Sequence, residues 1–111
     1  MITRYALFEG NIHEGQTEAF RAAVLSEILP LWRRFPGAQA VHVTFSDDRD
    51  PGAPEFPLIL AIDWPDRATV DAFLDHPIRK EGRAATEGVL ARFFTGRVHH
   101  HVTTAQVFDP V

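Results

Sequence analysis

Residues 57–64, PLILAIDW, are nearly unbroken in apolar character. A run of this kind suits a strand covered on both of its faces, and so belongs in the middle of a sheet. The remaining segments must then supply the neighbouring strands and the cover.

The candidates follow from period and punctuation. Residues 2–9 are rich in β-formers and precede the loop Gly10-Asn11-Ile12-His13, which predicts a first strand. Over residues 15–35 the apolar positions Phe20, Val24, Ile28, Leu31, Trp32 and Phe35 recur at three- and four-residue spacing, the signature of one helical face. Pro30 lies inside this helix and cannot donate an amide hydrogen to the carbonyl of Ser26, so a bend or restart is expected there. Residues 39–46 alternate Val41, Val43 and Phe45 with His42 and Thr44 as a second strand. Residues 47–56 read as a polar hairpin loop; its aspartates lack the spacing of a calcium loop. A helix is expected over residues 66–74 and another up to Phe94, ended by Thr95-Gly96, with residues 97–108 as a fourth strand.

The order β-α-β-β-α-β is that of an α+β, ferredoxin-like fold with a four-stranded antiparallel sheet. A weak internal repeat agrees with it. At an offset of 59, Leu31 meets Leu90, Phe35 meets Phe94, Gly37 meets Gly96, and His42-Val43-Thr44 meets His101-Val102-Thr103. A chain of 111 residues accommodates one hydrophobic core, so a single domain spanning residues 1–111 is expected.

Composition removes several function classes. Eleven basic against fifteen acidic residues, with no cluster of cations, argue against a nucleic-acid partner. The chain has no cysteine, which excludes disulfides, thiolate nucleophiles and sulfur-ligated zinc. No segment has the roughly 20 consecutive apolar residues of a membrane span, and no signal peptide is visible, so a cytoplasmic protein is expected.

FLDHPIRKEGRAATEG, residues 73–88, sets His76-Pro77 inside an otherwise helical pattern. Proline disfavours helical geometry at the residue before it and is well tolerated in the first turn of a new helix. The segment is therefore a joint, with His76 at the corner. Its ring can hydrogen-bond a loose backbone group there, or serve as a ligand or base.

The stretch DWPDRATVDAFLDHPIR resembles the strand end, aromatic residue and His-Pro of the stress-responsive α/β-barrel domains. EGQTEAF and FPGAQAV are similar to the start and end of the first helix in antibiotic-biosynthesis monooxygenase domains. Both families are dimeric α+β barrels, and the resemblance spans nearly the whole chain. It implies a homodimer whose two sheets face each other. An apolar central strand needs cover on its second face, and a symmetric copy is the simplest cover.

The resemblance also bears on chemistry. Polyketide cyclases of the His-Pro branch carry a tyrosine three residues before the histidine and a second histidine three residues after it; here Phe73 and Arg79 stand in those places. Neither does acid–base work at useful pH. The haem-degrading branch has a tryptophan at the Phe73 position and a ligating histidine where this chain has Arg83, which argues against haem. The quinone-forming monooxygenases need neither metal nor flavin, and an apolar pocket with one base suffices for them. Tyr5, Leu58, Leu60, Trp64, Phe73, Phe93 and Phe94 are candidate walls of such a pocket between sheet and helices, with His76 as candidate catalytic base and Arg79 as anion anchor. The same aromatics also suit an ordinary core.

In the run His99-His100-His101, His99 and His101 share one strand face while His100 points the other way, so at most two could hold one ion. No metal and no cofactor are assigned. The leading expectation is a dimeric α+β barrel that binds a small apolar or aromatic molecule. The alternatives are a cofactor-free monooxygenase or cyclase-like enzyme with His76 as base, and a stress-response or interaction module whose pocket is unused.

Overall fold

The 57–64 run does become an inner strand, hydrogen-bonded on both edges. In the computed structural model, which describes residues 1–111, β1 (Ile2–Ile12), β2 (Ala40–Phe45), β3 (Leu58–Trp64) and β4 (Phe94–Thr104) form one antiparallel sheet. The strand order is β2-β3-β1-β4. Between β1 and β2 lie α1 (Thr17–Ala23), a π-helical turn (Val24–Ile28) and α2 (Leu29–Trp32); between β3 and β4 lie α3 (Arg67–Leu74) and α4 (Ile78–Phe93). This is the expected ferredoxin-like α+β fold, with the helices on one face of the sheet.

The restart at Pro30 takes a specific form. The N–H of Leu29 bonds the carbonyl of Val24, five residues back, so the helical register slips by one just before the proline. The π turn absorbs the hydrogen bond that Pro30 cannot make, and α2 starts with the proline in its first turn. The joint at His76-Pro77 also forms, with α3 ending at Leu74 and α4 starting at Ile78.

Two strand boundaries differ from the sequence-based expectation. β1 does not stop at Glu9: Gly10, Asn11 and Ile12 continue the ladder, opposite Gly96, Thr95 and Phe94 of β4. Phe94 and Gly96 are accordingly strand residues and not the end of a helix. At its other end β4 stops at Thr104 and not at Phe108, because its partner strand runs out: Thr104 lies opposite Ile2, and Ala105 N–H bonds the carbonyl of Met1. Val107 and Phe108 are exposed beyond it.

The cover of β3 is also one-sided within one chain. Leu58, Leu60, Ile62 and Trp64 point into the helices and are buried, whereas Ile59, Ala61 and Asp63 on the other face are only half-buried. The register carries this parity across the sheet. Arg4, Ala6 and Phe8 of β1 and Val98 and His100 of β4 share the helix-facing side; Tyr5 and Leu7 of β1 and His99 and His101 of β4 share the open side.

Candidate functional site

Between the helix-facing side of the sheet and α4 lies a cavity of about 390 Å³, a size that holds a two- or three-ring molecule. The sheet supplies its floor through Ala6, Phe8, Leu60 and Val98; Trp32 and Phe35 close one end, and Phe73, Gly82 and Leu90 line the helical wall. Gly82 permits the close approach of Phe35, since a Cβ there would stand 3.2 Å from that ring. Phe73 is the central wall residue. Its ring centroid is 4.3 Å from that of Phe35 and 4.9 Å from that of Trp64.

The polar part of the lining is mostly cationic. Arg4, Arg79 and Arg83 converge on the cavity with His100, Thr86 and Glu87. The Arg4 guanidinium stands over the Phe73 ring at 5.9 Å from its centroid. Arg79 donates to the carbonyl of Leu74 at 3.3 Å, which orients it at the joint. None of the three arginines has a carboxylate within salt-bridge distance, although the chain forms such pairs elsewhere, for instance Arg92 with Glu27 at 2.6 Å.

This crowding changes the protonation of the site. Burial first, and then the charges of Arg79 and Arg83, bring Arg4 down from the ordinary guanidinium range to about 10. Arg4 remains a cation at neutral pH, so its charge costs folding stability at every pH below that value. Burial, followed by Arg4, Arg79, Arg83 and His99, lowers His100 from 6.5 to about 4. The ring is therefore neutral at pH 7. It imposes no cost above pH 6.5, and stability falls as the pH drops from 6.5 to 4, where the unfolded chain takes up a proton and the folded one resists it. His100 is exposed at the cavity mouth, so solvent screening moderates this effect.

The residues singled out from the sequence separate into groups. Leu60, Phe73 and Arg79 line the cavity together. Leu58, Trp64 and Phe94 are buried on the same side of the sheet but stand outside the lining, in the core. Trp64 is fully buried there with its indole Nε1 unpartnered. Phe93 packs edge-on against Phe20, and Tyr5 lies on the opposite sheet face. His76 stands in a separate hollow of about 220 Å³ at the α3–α4 joint, whose wall includes Arg79 and Arg83. Its Nδ1 accepts the Ile78 N–H at 3.1 Å, and its own N–H bonds the carbonyl of Phe73.

His76 thus caps the first turn of α4. Replacing it by alanine is expected to cost about 1 kcal/mol, as for loss of a helix cap, and to lower the melting temperature by several degrees. Affinity at the cavity stays unchanged. Thermal melts of His76→Ala and His76→Asn test this, and restoration by asparagine, whose side-chain oxygen also caps, is the expected signature.

Sequence reasoning missed the polar cavity residues Arg4, Arg83 and His100, and with them much of the apolar lining, including Ala6, Phe8 and Val98. Parity holds the signal: in ITRYALF, Arg4 occupies the same side as Ile2 and Ala6, a cation at a buried-phase position. Arg79, Arg83 and Glu87 repeat every four residues on one side of α4. Elsewhere, His42 pairs with Asp63 at 2.9 Å and His99 with Glu9 at 2.8 Å on the open face, so both rings have carboxylate partners. The 46–57 loop encloses a hollow of about 340 Å³, but one hydrophobic residue among the ten lining it marks a solvated crevice and not a ligand pocket.

No family model matches the sequence, and no curated protein matches it. Solved structures share its architecture. An ethyl tert-butyl ether (EthD) family protein from Bacillus halodurans is 17% identical, with a TM-score of 0.70 over 96% of this chain and 99% of that chain. SnoaB, a cofactor-independent oxygenase from Streptomyces nogalater, is 18% identical, with a TM-score of 0.63 over 99% of this chain and 97% of that one. An uncharacterized NIPSNAP domain protein from Burkholderia xenovorans is 13% identical, with a TM-score of 0.63 over the full length of both. At these identities the likeness is one of fold: the chain has the α+β ferredoxin-like architecture of antibiotic-biosynthesis-monooxygenase-like proteins.

Proposed function

We propose that this chain is a binding protein for a small, largely apolar or aromatic molecule, held in the cavity between sheet and α4. The observation that carries the reading is the lining itself: eight hydrophobic residues among fifteen, with Trp32, Phe35 and Phe73 on the walls and a few polar groups gathered at one place. No helix is long and apolar enough to cross a membrane. The cytoplasm is the proposed location.

We further propose that two copies pair through the open sheet face. Tyr5, Leu7, Ile59 and Ala61 give this face a half-buried apolar centre. At its flanks Thr3, Asp63 and His42 form one hydrogen-bonded group and Glu9, Arg97 and His99 another, a polar rim around an apolar middle.

Catalysis is the second reading, raised by the fold likeness to a cofactor-independent oxygenase. It requires a base at the cavity. His76 is committed to capping α4, and His100, the histidine at the cavity, is a weak base with a pKa of about 4. These observations favour binding over turnover.

The test combines titration with a cavity-filling variant. The wild type is expected to bind naphthalene-sized aromatic molecules saturably, and to sediment as a dimer at micromolar concentration. Val98→Trp, at the cavity floor on an edge strand, is expected to keep the fold by circular dichroism and lose the binding. Absence of saturable binding by the wild type would overturn the assignment of the cavity as a ligand site; a monomer in sedimentation would overturn the pairing.

A further inference from the structure

Three guanidiniums around one cavity are an expense to a folded protein. Like charges brought together without a counter-ion repel, and Arg4, the one set deepest, loses hydration as well. Arg4, Arg79 and Arg83 share the lining with a single carboxylate, Glu87, which bridges to none of them, and this occurs in a chain whose net charge is -4. Acidic residues able to neutralise them are plentiful, yet none of them forms an ion pair with these three arginines. Arg79 and Arg83 lie in the first two turns of α4, where the helix dipole is already positive and further cations are unfavourable. Fold stability alone gives no reason for this arrangement, whereas an anion arriving from solution does.

Resting on the cavity reading, we propose that the molecule bound there is an organic acid: a ring system of one to three rings bearing a carboxylate, its body against Trp32, Phe35 and Phe73 and its acid group held by Arg4, Arg79 and Arg83. The guanidinium fork matches a carboxylate through two parallel N–H···O bonds, and enclosure strengthens them. The apolar lining excludes a bare inorganic anion as the best occupant, because burying the walls around a fully hydrated ion returns no apolar contact. His100, uncharged and beside the three cations, adds a polar contact without adding another repulsion.

The experiment compares a matched pair, 2-naphthoate and 2-naphthamide, which share their ring and differ in charge. Binding of each is measured by calorimetry at low salt, in the wild type and in Arg83→Gln, whose position is exposed enough to tolerate the change. The naphthoate is expected to bind the wild type at least about tenfold more tightly than the amide, with the advantage shrinking as salt is raised. Arg83→Gln is expected to lose most of that advantage while its affinity for the amide stays unchanged. Naphthoate binding is also expected to raise the pKa of His100, read from its ring proton resonances, because the bound anion offsets the field of Arg4, Arg79 and Arg83; His99 and Glu87 are the other titratable groups beside it.

Equal affinity for acid and amide overturns the acid assignment and leaves the cavity reading standing. Failure of both to bind removes the cavity reading and this inference with it. Inorganic phosphate that displaces naphthoate at comparable concentration overturns the ring-bearing part of the assignment. An independent arm needs no ligand: Arg4→Met is expected to raise the melting temperature by a few degrees, and a fall would mean that the arginine serves the fold.

Discussion

Phe73→Ala is expected to remove about 3–5 kcal/mol of folding stability, the range for deleting a large aromatic from a packed core. A chain of this size has roughly 5–15 kcal/mol in total, so the variant should be marginal at 37 °C. The size of the effect follows from position. The ring is 1% exposed and touches both the core and the cavity: it packs on Trp64 on one side and Phe35 on the other, and it carries the Arg4 guanidinium. Its loss joins the cavity to a new void against Trp64, and the indole, already without a partner for its Nε1, loses packing as well. Urea denaturation is the measurement, with the midpoint falling sharply while the slope stays constant. Phe73→Leu is expected to cost less than half as much, because it refills most of the volume. A loss below about 1.5 kcal/mol in the alanine variant would mean that the cavity collapses readily, and that its volume in the free protein is not a fixed feature.

The stability experiments and the ligand experiments pull in opposite directions, which makes them informative together. Residues that hold the fold together, such as His76 at its helix joint and Phe73 in the core, lower stability when truncated. A residue held in place for a ligand raises it, since the free protein carries the cost of keeping the site ready. Arg4 is the clearest case. Its charge is unfavourable where it stands, and its contact with the Phe73 ring is not joined by any carboxylate partner.

Much of the architecture was legible because it depends on short-range rules. The apolar run of β3, the helical face of Phe20, Val24, Ile28 and Trp32, the break at Pro30 and the joint at Pro77 are each determined by a few neighbouring residues. The site was less legible, because it depends on register. Whether Arg4 faces helices or solvent is settled by its pairing with Ile62 across β1 and β3, and His100 is aligned by its pairing with Ala6. Aromatic content pointed to Phe73, which lines the cavity, but not to which side of the sheet Tyr5 would take. A residue one position along a strand changes face, so a list of apolar residues cannot define a pocket until the register is known. Arg79 was found from its spacing after His76; Arg83, one helical turn later, was noticed only as a departure from a haem ligand.

Register also brings two glycines of β1 and β4, Gly10 and Gly96, directly opposite each other. Gly10→Ala is expected to destabilise by roughly 3 kcal/mol or more, through backbone strain together with overpacking. Gly10 has a φ of 150°, a conformation that residues with a Cβ rarely adopt. It also lies directly opposite Gly96 in the ladder, and an added Cβ would stand 2.2 Å from the Thr95 carbonyl oxygen and 2.7 Å from the Gly96 Cα. The obstruction is backbone on both counts, so no side-chain rotation relieves it. Gly96→Ala meets the same difficulty from the other strand, with its Cβ 2.1 Å from the Glu9 carbonyl oxygen. The pair lets β1 and β4 continue to Ile12 and Phe94, where a loop and a helix end had been expected. Gly88→Ala provides the contrast. It lies in α4 with nothing within 4 Å of the added methyl, so the substitution is expected to stabilise by about 0.5–1 kcal/mol through helix propensity. Melting all three variants side by side decides the matter: one chemical change should lower stability steeply at the two strand positions and raise it at the helical one, and a mild effect at Gly10 would mean that the two long strands separate there at little cost.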